Sequence, residues 1–315
     1  TEWCQGKAAN ALFTPAAPLR YGEDSPMFCS IGARARRSRS TLAAAAALFI
    51  VVALPLVLPR EAWAIISSTA SININQFLGA ERFYDAGYTG TRTIQANIEA
   101  GHIWNGHSTL EHVTTRVTGN GAVGSDNSHA TRVGAAMGGR PTSGTYPSNA
   151  QAWGIAYDAT TWSGAVATTL SSETQFSVTN NSVATTYFPV LQSGVGGLTA
   201  NVFNSSWGFE TDPAGTDIRT RGIDGLINNN GTVGVFAAGN VNPAPAGPNT
   251  VWSPGSGYNG ITVGALAFGS EGNRYNAVAS FSGRGPNNFA LATSPTTYTT
   301  ITGVRAAVDI VAPGH

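Results

Sequence analysis

Residues 216–240 read TDIRTRGIDGLINNNGTVGVFAAGN. The texture changes once along this stretch. Over Thr216–Asn229 the apolar residues Ile218, Ile223, Leu226 and Ile227 fall near helical spacing, which predicts a helix with one apolar face. Over Val233–Ala238 a short apolar run ends at Gly239-Asn240, which suits a buried parallel strand. The same two textures recur on either side. Strand-like runs are Thr93–Ile98, Leu198–Phe203, Ile261–Leu266 and Val308–Val311, each ending near Gly, Ser, Asn or Pro. Helix-like segments are Gln76–Ala86 and His129–Met137. Strands alternating with helices predict an α/β fold around a mostly parallel sheet. Residues 159–197 are rich in Thr and Ser and carry no clear period. No internal repeat, heptad or low-complexity linker interrupts the pattern, so one domain is the simplest count.

The composition bounds what such a domain does. The chain has 315 residues, and an apolar fraction of 42% supports a sizeable core. Charged residues make up 11%, the formal net charge is zero and Lys occurs once, at Lys7, so nothing points to a nucleic-acid partner.

The N-terminus reads as an address rather than as fold. Residues 1–26 show no periodic pattern. From Met27 a basic region with Arg34, Arg36, Arg37 and Arg39 leads into the apolar run TLAAAAALFIVVALPLVL at 41–58, and Ala62-Trp63-Ala64 matches a small-x-small cleavage site. Together 27–64 predict a secretory signal cut after Ala64, with a secreted or cell-envelope product in which the membrane matters only for export. The competing reading is an uncleaved anchor, since the run approaches spanning length; Pro55 and the cleavage pattern weigh against it. Both cysteines, Cys4 and Cys29, precede that cut. The domain expected over 65–315 therefore has no disulfide and rests on its core, with ions as a possible aid. It carries 10 Arg, no Lys and 13 Asp plus Glu, a slightly acidic balance.

In open parallel sheets, function gathers where the carboxyl ends of strands meet helix N-termini. Three chemically useful residues fall there. Glu99 follows TIQANI, Asn240 closes VGVFAAGN, and His129 begins a helix-like run inside DNSHATRVGAAMGG at 126–139. A carboxylate can orient an imidazole, the imidazole can carry the proton of a nucleophile, and an amide N–H can stabilise an oxyanion. Blander readings stand beside these: His129 as a structural histidine, Asn240 as a turn residue.

These residues sit in a series that resembles the subtilisin-type serine peptidases, the subtilases. His129-Ala130-Thr131-Arg132-Val133-Gly134-Ala135 is similar to the family's His-Gly-Thr-His-Val-Ala-Gly, and Ile98-Glu99-Ala100-Gly101 to its strand ending Asp-x-Gly. His107-Ser108-Thr109-Leu110 resembles His-Pro-x-Leu, and Ser206-Trp207-Gly208 has the Ser-x-Gly form of the family's substrate strand. Ala237–Asn240 is its Ala-Ala-Gly-Asn unchanged, and Ser253-Pro254-Gly255, Ile261–Ala265, Ser280-Phe281-Ser282 and Val311–Gly314 follow in family order. The likeness spans about residues 76–315. It implies a three-layer fold with helices on both faces of the sheet and an endopeptidase acting on polypeptides. It implies that His129 is the general base, Glu99 its orienting acid and Asn240 the oxyanion donor. Ser206, Trp207, Gly208, Ala238 and Gly239 would line the bound peptide, with Trp207 equally suited to filling core. No cofactor is needed for such chemistry. Calcium sites occur in the family, but no D-x-D-x-D-G loop is present here, so structural calcium stays open.

Two departures shape the expectation. Glu99 stands where the family has Asp, one methylene longer; an ångström of misplacement can lower a rate on the order of 100-fold. The family's Gly-Thr-Ser-x-Ala-x-Pro motif, which carries the nucleophile, is also absent from the 315 residues. The reading is a partial peptidase domain from a longer gene product, with the C-terminal part missing and the fragment itself inactive. A non-catalytic subtilase-like binding or surface protein is the alternative. Only about a dozen residues separate Ala64 from Gln76, too few for a folded inhibitory pro-domain. His102, His107 and His112 recur every five residues, a spacing that neither a helix nor a strand turns to one face, so a zinc site there would need a shaped loop. Arg132 replaces a second histidine of the family motif, which predicts a different partner for it.

Overall fold

The computed structural model describes residues 73–144, 146, 152–173, 175–242, 244–269, 275–294 and 297–314. The upstream stretch and the expected signal peptide, 1–64, lie outside the described residues. Among those described, no helix is long and apolar enough to cross a membrane.

In chain order the elements are α1 (Ile74–Phe77), α2 (Glu81–Asp85), β1 (Ile94–Glu99), β2 (Thr115–Thr118), α3 (Ser128–Gly138), β3 (Thr160–Ala165), β4 (Ala167–Leu170), β5 (Phe176–Val178) and α4 (Asn180–Phe188). A π-helical turn, Pro189–Ser193, follows α4. Then come β6 (Val202–Ser205), β7 (Phe209–Thr211), α5 (Ile218–Asn230), β8 (Val233–Ala237), β9 (Trp252–Ser253), β10 (Ile261–Leu266), β11 (Asn287–Ser294), β12 (Thr297–Arg305) and β13 (Ile310–Pro313).

Seven strands form one sheet in the order β13-β10-β8-β6-β1-β3-β2. Every neighbouring pair in it is parallel. A parallel sheet needs cover on both faces, and β1 shows how it is obtained. Successive side chains of a strand point to opposite faces. Asn97 donates through Nδ2 to the Ala130 carbonyl of α3 at 3.0 Å. Its neighbour Ile98 points the other way, into the core with Tyr187 of α4 and Ile223 and Ile227 of α5. Helix α3 therefore covers one face and α4 with α5 the other, the three-layer arrangement expected. The α4/α5 side holds the main core. Phe203 sits there fully buried, with ring centroids 5.6 Å from Tyr187 and 5.4 Å from Phe236, both edge-on. Burying one such ring is worth about 1.5–3 kcal/mol.

Several expectations shift on contact with the structure. The single helix expected over Gln76–Ala86 is two short ones, because Gly79 adopts a φ of +74° that no helix continues through. The strand expected over Leu198–Phe203 starts at Val202, since Gly194, Gly196 and Gly197 take positive φ and draw Leu198 into a tight turn. The strand expected over Val308–Val311 begins two residues later, at Ile310. The unreadable stretch 159–197 supplies β3, β4, β5 and α4. Strand β3 is nearly all buried although its sequence, TTWSGA, is barely apolar. At its Gly164 a Cβ would stand 3.0 Å from both Ile98 Cγ1 and Thr186 Cγ2, so small residues there let sheet and helix approach.

Candidate active site

At the carboxyl edge of the sheet the structure brings two of the predicted residues, Glu99 and His129, into contact. The register pairs Asn97 with Asn204 across β1 and β6, and Ser205 with Phe236 across β6 and β8. Glu99, Ser206 and Ala237 thus reach the edge at one level. Neighbouring strands lie about 4.8 Å apart, which sets Glu99 about 10 Å from the end of β8.

Glu99 is the last residue of β1 and 1% exposed. A buried carboxylate must be hydrogen-bonded, and this one is held on both oxygens. Oε1 accepts the Ser206 backbone N–H at 2.7 Å and lies 3.3 Å from Asn204 Nδ2. Asn204 Nδ2 also faces Asn97 Oδ1 at 3.1 Å; two acceptors on that side require the amide nitrogen rather than its oxygen there. Oε2 accepts from His129 Nδ1 at 3.1 Å. The longer side chain thus bonds the imidazole directly while Ser206 and Asn204 hold its other oxygen.

His129 is the second residue of α3, and its place follows from local chemistry. Asn127 caps the helix, its Oδ1 accepting the Ala130 N–H at 2.9 Å. The Asn127 N–H donates to the His102 carbonyl at 2.8 Å, tying the helix start to the loop that leaves β1. Because the Glu99 carboxylate only accepts, Nδ1 of His129 carries the proton and Nε2 is the nitrogen left to take another. The imidazole side chain is 36% exposed, so it faces the solvent side of the site while the carboxylate is sealed behind it.

Electrostatics follow from that contrast. The hydrogen bond to Glu99 raises the His129 pKa above its ordinary value; burial and the Arg132 charge pull against it. Burial pushes the Glu99 carboxyl up, against the His129 hydrogen bond and the Ser206 N–H. The two groups titrate as a pair.

Asn240 lies exposed in the loop three residues past the end of β8, on the same edge. The residues before it are structural. The Ala238 N–H donates to the Val263 carbonyl at 2.9 Å and its carbonyl accepts from Trp252 N–H at 3.0 Å, so neither backbone group is left for a peptide. The Gly239 carbonyl accepts from Gly283 N–H at 2.9 Å. Of the other residues expected to line a bound chain, Ser206 has its N–H engaged by Glu99, which leaves its carbonyl. The Trp207 indole, 4% exposed, packs in the core near Phe176 and Phe209 and is filler rather than cleft wall. Gly208 stands at the opening, directly before β7.

The other histidines do not gather. His102 is buried between Ser163 Oγ (3.1 Å) and Thr118 Oγ1 (2.8 Å), and His107 closes a turn on Thr109 Oγ1 at 3.0 Å. Among the described residues no group of three or more His, Cys, Asp or Glu could hold a metal ion. Arg132 does meet a different partner, Glu173 Oε2 at 2.6 Å, and Ser128 also bonds Glu173. Sequence reasoning missed Glu173 and Asn204; the Asn204-Ser205-Ser206 run carried a signal for the latter, because Ser and Asn crowd one strand end.

A sequence model of the subtilase family matches residues 94–315. No curated protein matches the chain. Among solved structures, that of the prenylagaramide maturation protease PagA is 19% identical, with a TM-score of 0.49, covering 73% of this chain and 76% of that one. The chain belongs to the subtilase family of serine peptidases.

Proposed function

We propose that the gene product is an exported serine endopeptidase in which Glu99, His129 and Asn240 serve a serine hydroxyl. The observation that carries the reading is the 3.1 Å contact between a sealed carboxylate and a part-exposed imidazole at the carboxyl edge of a parallel sheet. In the reaction, His129 Nε2 takes the hydroxyl proton as the serine oxygen attacks the peptide carbonyl carbon. Glu99 holds the ring and stabilises the imidazolium; the Asn240 amide donates to the oxyanion. The C–N bond breaks as His129 returns the proton to the leaving amine, and water reverses the sequence to free the acid. No step needs a cofactor. The 315 residues contain no Gly-Thr-Ser, so in this reading they lack the serine hydroxyl and do not by themselves turn over substrate.

The test uses the full gene product expressed with its own N-terminus. It should appear in the medium beginning at Ile65 and hydrolyse casein, with activity blocked by a serine-directed phosphonate. Asn240→Ala should lower kcat by about 100- to 1000-fold with KM little changed. Phosphonate-sensitive cleavage by the 315-residue chain alone, or an Asn240→Ala effect confined to KM, would contradict the assignment. A full product that cleaves nothing would favour a binding or surface protein.

A further inference from the structure

The first turn of α3 is held from outside by a carboxylate that the mechanism does not use. Glu173 lies in the turn between β4 and β5, which the Ser171 N–H closes on the Gln175 carbonyl at 2.9 Å. From there it reaches across to α3. Oε1 accepts the Ser128 hydroxyl and lies 3.2 Å from Arg132 Nη1; Oε2 accepts from Arg132 Nη2 at 2.6 Å. Two oxygens on two guanidinium nitrogens make a forked pair. Ser128 directly precedes His129 and Arg132 stands three residues after it. One carboxylate therefore clasps the helix on both sides of the imidazole.

The Arg132 and Glu173 side chains are 63% and 38% exposed, and an ion pair so open to water adds little stability. Its effect is on charge. Residues three apart on a helix are neighbours, so Arg132 sets a permanent cation one turn from His129. Helix α3 also begins beside His129, with the positive end of its dipole. Both oppose a proton on the ring, and Glu173 offsets both. The charged groups acting on the ring are Glu99 from β1, Arg132 from α3 itself and Glu173 from the β4–β5 turn. Glu99 acts first, through its hydrogen bond, which raises the pKa; burial opposes it; Arg132 then pulls the value down and Glu173 lifts it. The Arg132 and Ser128 hydrogen bonds hold the Glu173 carboxyl below the ordinary carboxylate range, so it is ionised wherever His129 titrates.

We propose that Glu173 is a positioning residue for His129. It fixes the turn that carries the imidazole and cancels the Arg132 charge, which leaves Glu99 to set the protonation of the ring. It acts through Ser128 and Arg132 rather than by touching the reacting atoms. As a role in catalysis, the inference rests on the peptidase reading above.

The test has two arms. The first is proton NMR titration of His129 on the 315-residue chain. Glu173→Gln leaves Arg132 unopposed and should lower the midpoint, whereas Arg132→Gln leaves Glu173 unopposed and should raise it. Proton affinity should change about two- to threefold in each case, the effect of a unit charge one helical turn away in water. The double variant should return close to the natural midpoint, and so should Glu173→Asp, which keeps the charge. Salt at about 1 M should shrink both single shifts. A merely structural clasp gives another result: either truncation loosens α3, weakens the Glu99 bond and moves the midpoint down. Both single variants shifting the same way, or neither shifting, overturns the assignment. Should Glu173→Gln not fold, Arg132→Gln decides, since only the charge argument predicts a rise. In the second arm, the acid limb of kcat/KM for the full gene product on quenched peptides should follow the ring, to lower pH in Glu173→Gln and to higher pH in Arg132→Gln. A fixed limb beside moving midpoints counts against His129 as the base and not against the Glu173 assignment. If no peptide is cut, the peptidase reading fails and the first arm still decides the role of Glu173.

Discussion

At the scale of single residues, the site is a contrast between one sealed group and one open group. Glu99 is 1% exposed and gathers donors on both oxygens, whereas His129 offers one nitrogen outward. The carboxylate holds the His129 proton to a higher pH than the ordinary 6.5. With the folded pKa of His129 above the unfolded one, the contribution of protonating His129 is present below 6.5 while Glu99 stays ionised and is lost as pH rises through the folded value. The imidazole becomes an available base over that same rise. Titration of the His129 ring by proton NMR on the 315-residue chain should give a midpoint above 6.5, and Glu99→Gln should move it down. A midpoint indifferent to Glu99→Gln would deny the pairing.

At the scale of elements, α3 shows why the tiny residues of its sequence are needed. The helix crosses β1 and β3 closely enough that a Cβ at Gly138 would stand 2.3 Å from Gln95 Nε2 and 2.4 Å from Thr161 Oγ1. Those two atoms share a 3.0 Å hydrogen bond beneath the helix. Gly138→Ala therefore sets two effects against each other. Helix propensity favours Ala by about 1 kcal/mol. Overpacking opposes it by about 1–3 kcal/mol and breaks the bond as well. The second should win: the substitution is expected to lower the urea midpoint, and an unchanged or higher midpoint would show that α3 has room to move. At Gly222 of α5 a Cβ would meet nothing within 4 Å, so Gly222→Ala supplies the control in which propensity acts alone.

For the whole molecule, the acid side of the stability profile should reflect one buried staple. His102 is 1% exposed and joins the loop after β1 to Ser163 on β3 and Thr118 on β2. Burial first, then the Arg116 charge, lowers its pKa from 6.5 to about 4, with Asp126 pulling the other way. The unfolded chain thus binds a proton at His102 that the folded chain refuses. Stability present above pH 6.5 is lost as pH falls toward 4, on the order of 3 kcal/mol from this residue. Denaturation across that window should show a steeper fall for the natural protein than for His102→Gln. Parallel profiles would remove His102 from the account.

How much of this was written locally follows from the range of each force. Helical and strand periods, the Gly and Asn that end runs, and the arrival of Glu99 at a strand end, His129 at a helix start and Asn240 in the loop after a strand depend on residues a few positions apart, and the sequence by itself determined them. Strand β3 and helix α4 hid because Thr, Ser and Gly there are buried by close packing rather than by apolar character. Tertiary structure alone decided the strand order, the donors gathered on Glu99, the commitment of the Ala238 backbone and the pairing of Arg132 with Glu173. Each of those joins residues far apart in the chain. Register and packing bring them together, and no local pattern records which distant group will fill a gap or satisfy a buried charge.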